Sequence, residues 1–304
     1  MVSVARTPNS LLFLTHTHVF KFLRPVRHGF VDQRLCSTRS ETLRGELKWH
    51  SENSPILGCC LISAVPGRLG GYTLVFQEEP QAPEYGLMMR RLPEADNLAT
   101  MLANPQNDRQ RLFRRLCADI GVHLSRRPPA QIDGSLYLAQ LRENLDLQHR
   151  ILQKQCRRAN SLVRPVSILY GAAAGTLAHI CDILLERCRD GSIRQFHGDL
   201  RADHIFFCGT DTVFIDPAVD PRFTNIDGCC ELSPLLNDIA LLVGPMESEH
   251  LCGRLGYAGA LRRVTLYFQM LKSLVFIRFN LYAHMPVGEL RDRVSTLLQL
   301  CDQE

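Results

Sequence analysis

An acid, an imidazole and a second acid stand close together in His197-Gly198-Asp199-Leu200-Arg201-Ala202-Asp203-His204-Ile205-Phe206-Phe207-Cys208-Gly209-Thr210-Asp211-Thr212-Val213-Phe214-Ile215-Asp216. A carboxylate can orient a nucleophile or take its proton, and a carboxylate with an imidazole can hold a divalent cation. Phosphoryl transfer asks for little more. It needs one group for the nucleophile and metal bridging the phosphates, with no covalent chemistry from the protein. On this reading Asp199 is the catalytic base, and His204 and Asp216 are metal ligands.

These residues need a loop followed by a tight hairpin. Apolar residues at Ile205, Phe206, Val213, Phe214 and Ile215 suit two short strands, Ile205–Cys208 and Thr212–Ile215, and Gly209 tolerates the positive φ of a turn. If the turn centres on Thr210, residue 204 faces 216 and 206 faces 214, with opposed Cβ atoms roughly 4.5–5.5 Å apart. A slip of one residue would undo that pairing. Before this segment, strand-like runs occur at Leu11–Leu14, Val19–Leu23, Leu57–Val65, Tyr72–Phe76 and Glu84–Arg90, with one helical pattern at Ser40–Glu52. After Pro93 the apolar spacing turns helical, over Leu98–Leu102, Arg109–Leu124, Leu136–Leu152 and Ile168–Arg189. The expectation is an α+β fold in two lobes: a small β-rich N-terminal nucleotide-binding lobe over 1–93, and a larger helical catalytic and substrate lobe over 94–304.

The composition sets limits on this reading. With 304 residues, 45% hydrophobic and 22% charged, the chain can bury a large core. The net charge of +4 comes with scattered basic pairs, Arg126-Arg127, Arg157-Arg158 and Arg262-Arg263, and no interleaved aromatic run, which argues against a nucleic-acid partner. The 12 cysteines form no CxxC, and without a secretory signal they read as reduced thiols in a cytoplasmic protein. No stretch reaches the roughly 18 apolar residues of a membrane span; 264–283 comes closest, interrupted by Lys272 and Arg278. Nothing matches GxxxxGK[ST], and no Ser-His-Asp arrangement is readable. His123 reads as structural, and Trp49 as a helix anchor.

His-Gly-Asp-Leu, His204-Ile205 five residues beyond the aspartate, and Phe214-Ile215-Asp216 together resemble the active-site signature of the aminoglycoside phosphotransferase family, relatives of the protein kinases. The likeness is nearest to an uncharacterised bacterial phosphotransferase-like branch, in which His replaces the usual Asn at the metal position. It implies a protein-kinase-like fold, ATP with Mg²⁺ (or Mn²⁺), and the same roles for Asp199, His204 and Asp216. It further implies that Lys21, in Val19-Phe20-Lys21-Phe22-Leu23, contacts nucleotide phosphates and pairs with Glu46, and that Met89 and Arg90 lie beside the adenine. Asp238-Ile239-Ala240 resembles the segment that buttresses the catalytic loop. Thr7-Pro8-Asn9-Ser10 departs from the pattern, since the turn over the phosphates contains no glycine.

The expected activity is therefore phosphoryl transfer from ATP to a small hydroxyl- or amine-bearing acceptor, with no membrane partner. The alternative is a catalytically silent kinase-like protein that binds nucleotide or a partner.

Overall fold

The computed structural model describes residues 2–28, 31–68, 70–156, 160–282 and 287–301, so the Arg157-Arg158 pair lies outside the described residues. In chain order, β1 (Ser3–Arg6), β2 (Ser10–Leu14), β3 (His18–Leu23), β4 (Arg27–His28) and β5 (Val31–Asp32) precede α1 (Cys36–Asn53). Then come β6 (Cys60–Pro66), β7 (Tyr72–Val75) and β8 (Glu84–Arg90), followed by α2 (Leu98–Ala103), α3 (Arg109–Ser125), α4 (Gly134–Gln155) and α5 (Asn160–Arg189). The remainder is β9 (Ile193–Gln195), β10 (Ile205–Cys208), β11 (Asp211–Phe214), α6 (Pro221–Thr224), β12 (Asn225–Asp227), α7 (Gly228–Leu242), α8 (Pro245–Arg254), α9 (Arg262–Tyr282) and α10 (Val287–Cys301).

Two compact units result. The first joins residues 1–96 to 206–220, and the second joins 97–205 to 221–304. A division at 93/94 would leave 206–220 with the helices; its contacts place it with the sheet.

The first unit is an antiparallel six-stranded sheet in the order β1-β2-β3-β8-β6-β7. Strand β3 is interior, with Lys21 opposite Leu12 on one side and Leu87 on the other. Leu43 and Leu47 of α1, at helical spacing, pack with Leu23, Leu61, Leu87 and Met89 to form the core. Arg39 on α1 forms an ion pair with Glu84, its Nε 3.0 Å from Oε2. The carboxylate, itself only partly buried, makes burial of the Arg39 guanidinium tolerable. The β10–β11 hairpin attaches through Phe206 and Val213, which pack on Leu57, and through Ser54 Oγ, which donates to Phe214 O at 3.0 Å. Its connection is Gly209-Thr210, with Gly209 at φ +60. The turn therefore lies between these residues and is not centred on Thr210. His204 sits in a 3-10 turn and Asp216 beyond the end of β11, so neither is held as a paired strand residue.

The second unit is helical apart from the antiparallel β9–β12 ribbon. Helix α5 starts at Asn160, earlier than the expected Ile168, and runs through Pro165, which has no N–H to give to the intrahelical ladder. Its buried residues Leu162, Val166, Leu169, Ala173, Leu177, Ile180 and Leu184 form one stripe, which faces α4, α9 and α10. Among the described residues this helix, over 161–189, is the one long and apolar enough to cross a membrane by length and composition. The sequence had pointed to 264–283 instead. Helix α7 is buried from Gly228 through Ala240 and packs on α9.

Candidate active site

In the first unit, three of the nominated residues meet. Lys21 Nζ donates to Glu46 Oε1 at 2.9 Å and Oε2 at 2.8 Å, and to Asp216 Oδ1 at 2.8 Å. Strand β3 presents Lys21 toward α1, and the Ser54 and Leu57 anchor of the hairpin carries Asp216 to the same ammonium. The Lys21 and Glu46 side chains are 7% and 5% exposed, while Asp216 is 42% exposed. Burial alone would push the Lys21 pKa down; Asp216 and Glu46 overcome it and hold it above its ordinary value. Lys21 is thus a fixed cation shared between two acids. Asp216 has φ +56, a left-handed conformation that Asp tolerates better than most side chains.

Met89 and Arg90 are placed differently. Met89 is packed in the core with Leu23 and Leu87, so its side chain is committed to the fold. Arg90 is exposed at the end of β8.

In the second unit, the loop bearing Asp199 runs along α7. Glu231 and Asp238 are seven residues apart, two helical turns, and so share one face about 10 Å apart. Glu231 accepts from His197 N at 3.1 Å and Gly198 N at 2.8 Å, and Asp238 Oδ2 accepts from Ala202 N at 3.0 Å. Gly198, at φ +83, makes the bend. Helix α9 adds Lys272, whose Nζ donates to Gly198 O at 2.6 Å, and one turn later Phe276, whose ring lies 5.5 Å from the Arg201 guanidinium and 3.8 Å from that of Arg293. Arg293 of α10 also donates to Asp238 Oδ1 at 2.6 Å. The backbone around Asp199 is anchored at 197, 198 and 202, while the Asp199 carboxylate itself is 46% exposed. A side chain held so is pre-oriented and open to a reactant.

His204 folds back under this loop, its Nδ1 2.8 Å from Asp199 O. A carbonyl only accepts, so Nδ1 carries a hydrogen, and in the tautomer with that single hydrogen the lone pair is on Nε2. Donor and acceptor on opposite sides of one ring reproduce what an Asn amide offers. Among the described residues no group of three or more His, Cys, Asp or Glu side chains is gathered as a metal site. The ring of His197 is fully buried, and burial pushes its pKa down to about 4, so it stays neutral at neutral pH.

Glu231 and Arg293 are not singled out by the sequence, and Lys272 stands out there only as a charge interrupting 264–283. The signal was present for the first: Glu231 and Asp238 are the two acids of the mainly apolar Gly228–Leu242 and lie on one face, and buried acids demand donors.

No protein-family model matches the sequence, and no curated protein does. Solved structures do share its architecture. A choline kinase from Cryptosporidium parvum Iowa II matches with a TM-score of 0.57 at 10% identity, covering 100% of this chain and 89% of that one. An ethanolamine kinase from Plasmodium vivax matches at 0.55 and 8%, covering 99% of this chain and 82% of that one. The GDP complex of aminoglycoside 2'-phosphotransferase-IIIa matches at 0.54 and 14%, covering 100% and 91%. At such identities the likeness is one of fold. The chain accordingly has the protein-kinase-like α+β fold of the aminoglycoside phosphotransferases and the choline and ethanolamine kinases.

Proposed function

We propose that the protein is an ATP-dependent phosphotransferase acting on a small hydroxyl- or amine-bearing molecule. The observation that carries this reading is the anchored loop 197–204, which presents an exposed Asp199 carboxylate on an immobilised backbone. Asp199 accepts the proton of the acceptor group as it attacks the terminal phosphate. Lys21, kept protonated by Glu46 and Asp216, supplies positive charge for phosphate oxygens. Asp216 and His204 would hold Mg²⁺ or Mn²⁺, which when bound neutralises charge on those oxygens. Met89 and Arg90 would flank the adenine, Met89 through its backbone. A cytoplasmic setting suits the described cysteines, all of them free thiols. Fold alone does not name the acceptor.

One observation favours the silent alternative. In the turn Thr7-Pro8-Asn9-Ser10, Thr7 N donates to Ser10 O, Ser10 N donates to Thr7 Oγ1, and Pro8 has no N–H. Arg24 further fixes this turn by donating to Thr7 O and Pro8 O. Few backbone donors remain there for a phosphate.

The deciding experiment measures ATP turnover with Mg²⁺ or Mn²⁺ against a panel of small alcohols and amines, with Asp199→Asn as control. Acceptor-dependent turnover that the control lacks supports the enzyme. ATP binding with no turnover for any acceptor supports the silent protein.

A further inference from the structure

We propose that His123 is a positioning residue of the phosphotransfer reaction: acting through Glu231, it sets where the backbone leading into Asp199 lies. The proposal rests on reading Asp199 as the base. His123 lies on α3, far from the catalytic loop in sequence, and its side chain is 1% exposed.

Its protonation pattern follows from its partners. Arg127 Nη2 lies 3.1 Å from His123 Nδ1, and a guanidinium only donates, so Nδ1 is the acceptor. Nε2 therefore carries the hydrogen and donates to Glu231 Oε1 at 2.8 Å. The same oxygen receives His197 N at 3.1 Å, while Oε2 receives Gly198 N at 2.8 Å. Glu231 is fully buried, where a carboxylate is tolerated only if its lone pairs are filled. Burial would raise its pKa, yet the His123 hydrogen bond and the Gly198 N–H hold it below the ordinary value. Glu231 is thus an ionised bracket for two consecutive amides. His123 shares an oxygen with one of them and so fixes the rotation of the carboxylate. The Phe196 ring, 6.2 Å from the imidazole, keeps that ring from tilting away. Arg127, His123, Glu231 and the backbone of 197–198 form one chain of bonds ending just before the base.

A histidine that merely fills space can be replaced by any group of similar volume, whereas a positioning histidine needs its donor and acceptor. The test compares His123→Leu, which removes both, with His123→Gln, whose amide can accept from Arg127 and donate to Glu231. If the leucine variant does not fold, His123→Asn replaces it, since its shorter amide does not span both partners. Two quantities are read: steady-state kinetics with ATP, and amide hydrogen exchange of residues 196–204. For His123→Leu, kcat is expected to fall about 10²-fold with KM for ATP within about threefold, and His123→Gln to recover to within about tenfold of wild type. Exchange of 196–204 should quicken in the leucine variant alone, with other segments unchanged. Wild-type kcat and exchange in His123→Leu would overturn the proposal, as would a kcat loss without faster exchange, or a glutamine variant no better than leucine. If the wild-type protein turns over no ATP, the assignment of Asp199 fails separately, and exchange alone decides whether His123 holds the loop.

Discussion

Lys21 Nζ lies 2.8 Å from Asp216 Oδ1, a contact between a residue of the sheet and one beyond the hairpin strand β11, and the same ammonium is bonded to Glu46. A single cation thus serves two acids, one buried and one half-exposed. Removing the cation leaves Glu46 buried with no counter-charge. Lys21→Met is expected to cost about 3–5 kcal/mol in stability. Adding Glu46→Gln should return part of that loss, so that the double variant is more stable than additivity requires. Urea unfolding midpoints of the three variants check this. Additive losses would show that the two residues act independently. In ATP turnover, Lys21→Ala and Glu46→Ala should likewise be non-additive.

Asp199→Asn should lower turnover by about 10²–10⁴-fold if this carboxylate is the base. The side chain is 46% exposed, and the loop is held through backbone groups, so stability and ATP affinity should stay close to wild type. Turnover equal to wild type would remove Asp199 from the mechanism.

His204→Asn preserves a donor for Asp199 O and an acceptor for metal, while His204→Ala supplies neither. The asparagine variant is expected to keep substantial activity and to shift its metal preference from Mn²⁺ toward Mg²⁺, because oxygen replaces nitrogen as ligand. The alanine variant should need much higher metal concentrations. Titrations of turnover with each metal decide it, and identical curves for alanine and wild type would exclude His204 as a ligand.

His197 contributes a pH dependence whose sign is fixed by its burial. Its pKa is pushed down to about 4 in the folded protein, against about 6.5 when unfolded. Between these values the unfolded chain binds the extra proton, so acidification favours unfolding. The contribution is complete above pH 6.5 and is lost as pH falls toward 4, amounting to about 3 kcal/mol at most. His197→Asn should flatten that part of the curve. Thermal midpoints of both proteins from pH 7.5 to 4.5 measure the difference, and parallel curves would contradict it.

Much of this was legible in the sequence, for local reasons. Runs of β-favouring residues marked β3 and β8, and three- and four-residue apolar spacing marked α1, α3 and α4, because helical side-chain periodicity records which face is buried. Residue type and spacing also singled out Asp199, His204 and Asp216. What only the tertiary structure decided is who holds whom. Asp216 meets Lys21 because Leu57 and Ser54 anchor the hairpin beside α1, a packing choice that no spacing along the chain reports. The bracket on the loop comes from Glu231, Lys272 and His123 on three different helices, each of which reads in isolation as a charged or polar interruption of an apolar stripe. Burying a charge is tolerable only with its partners in place, and partners distant in sequence become neighbours only once the helices pack.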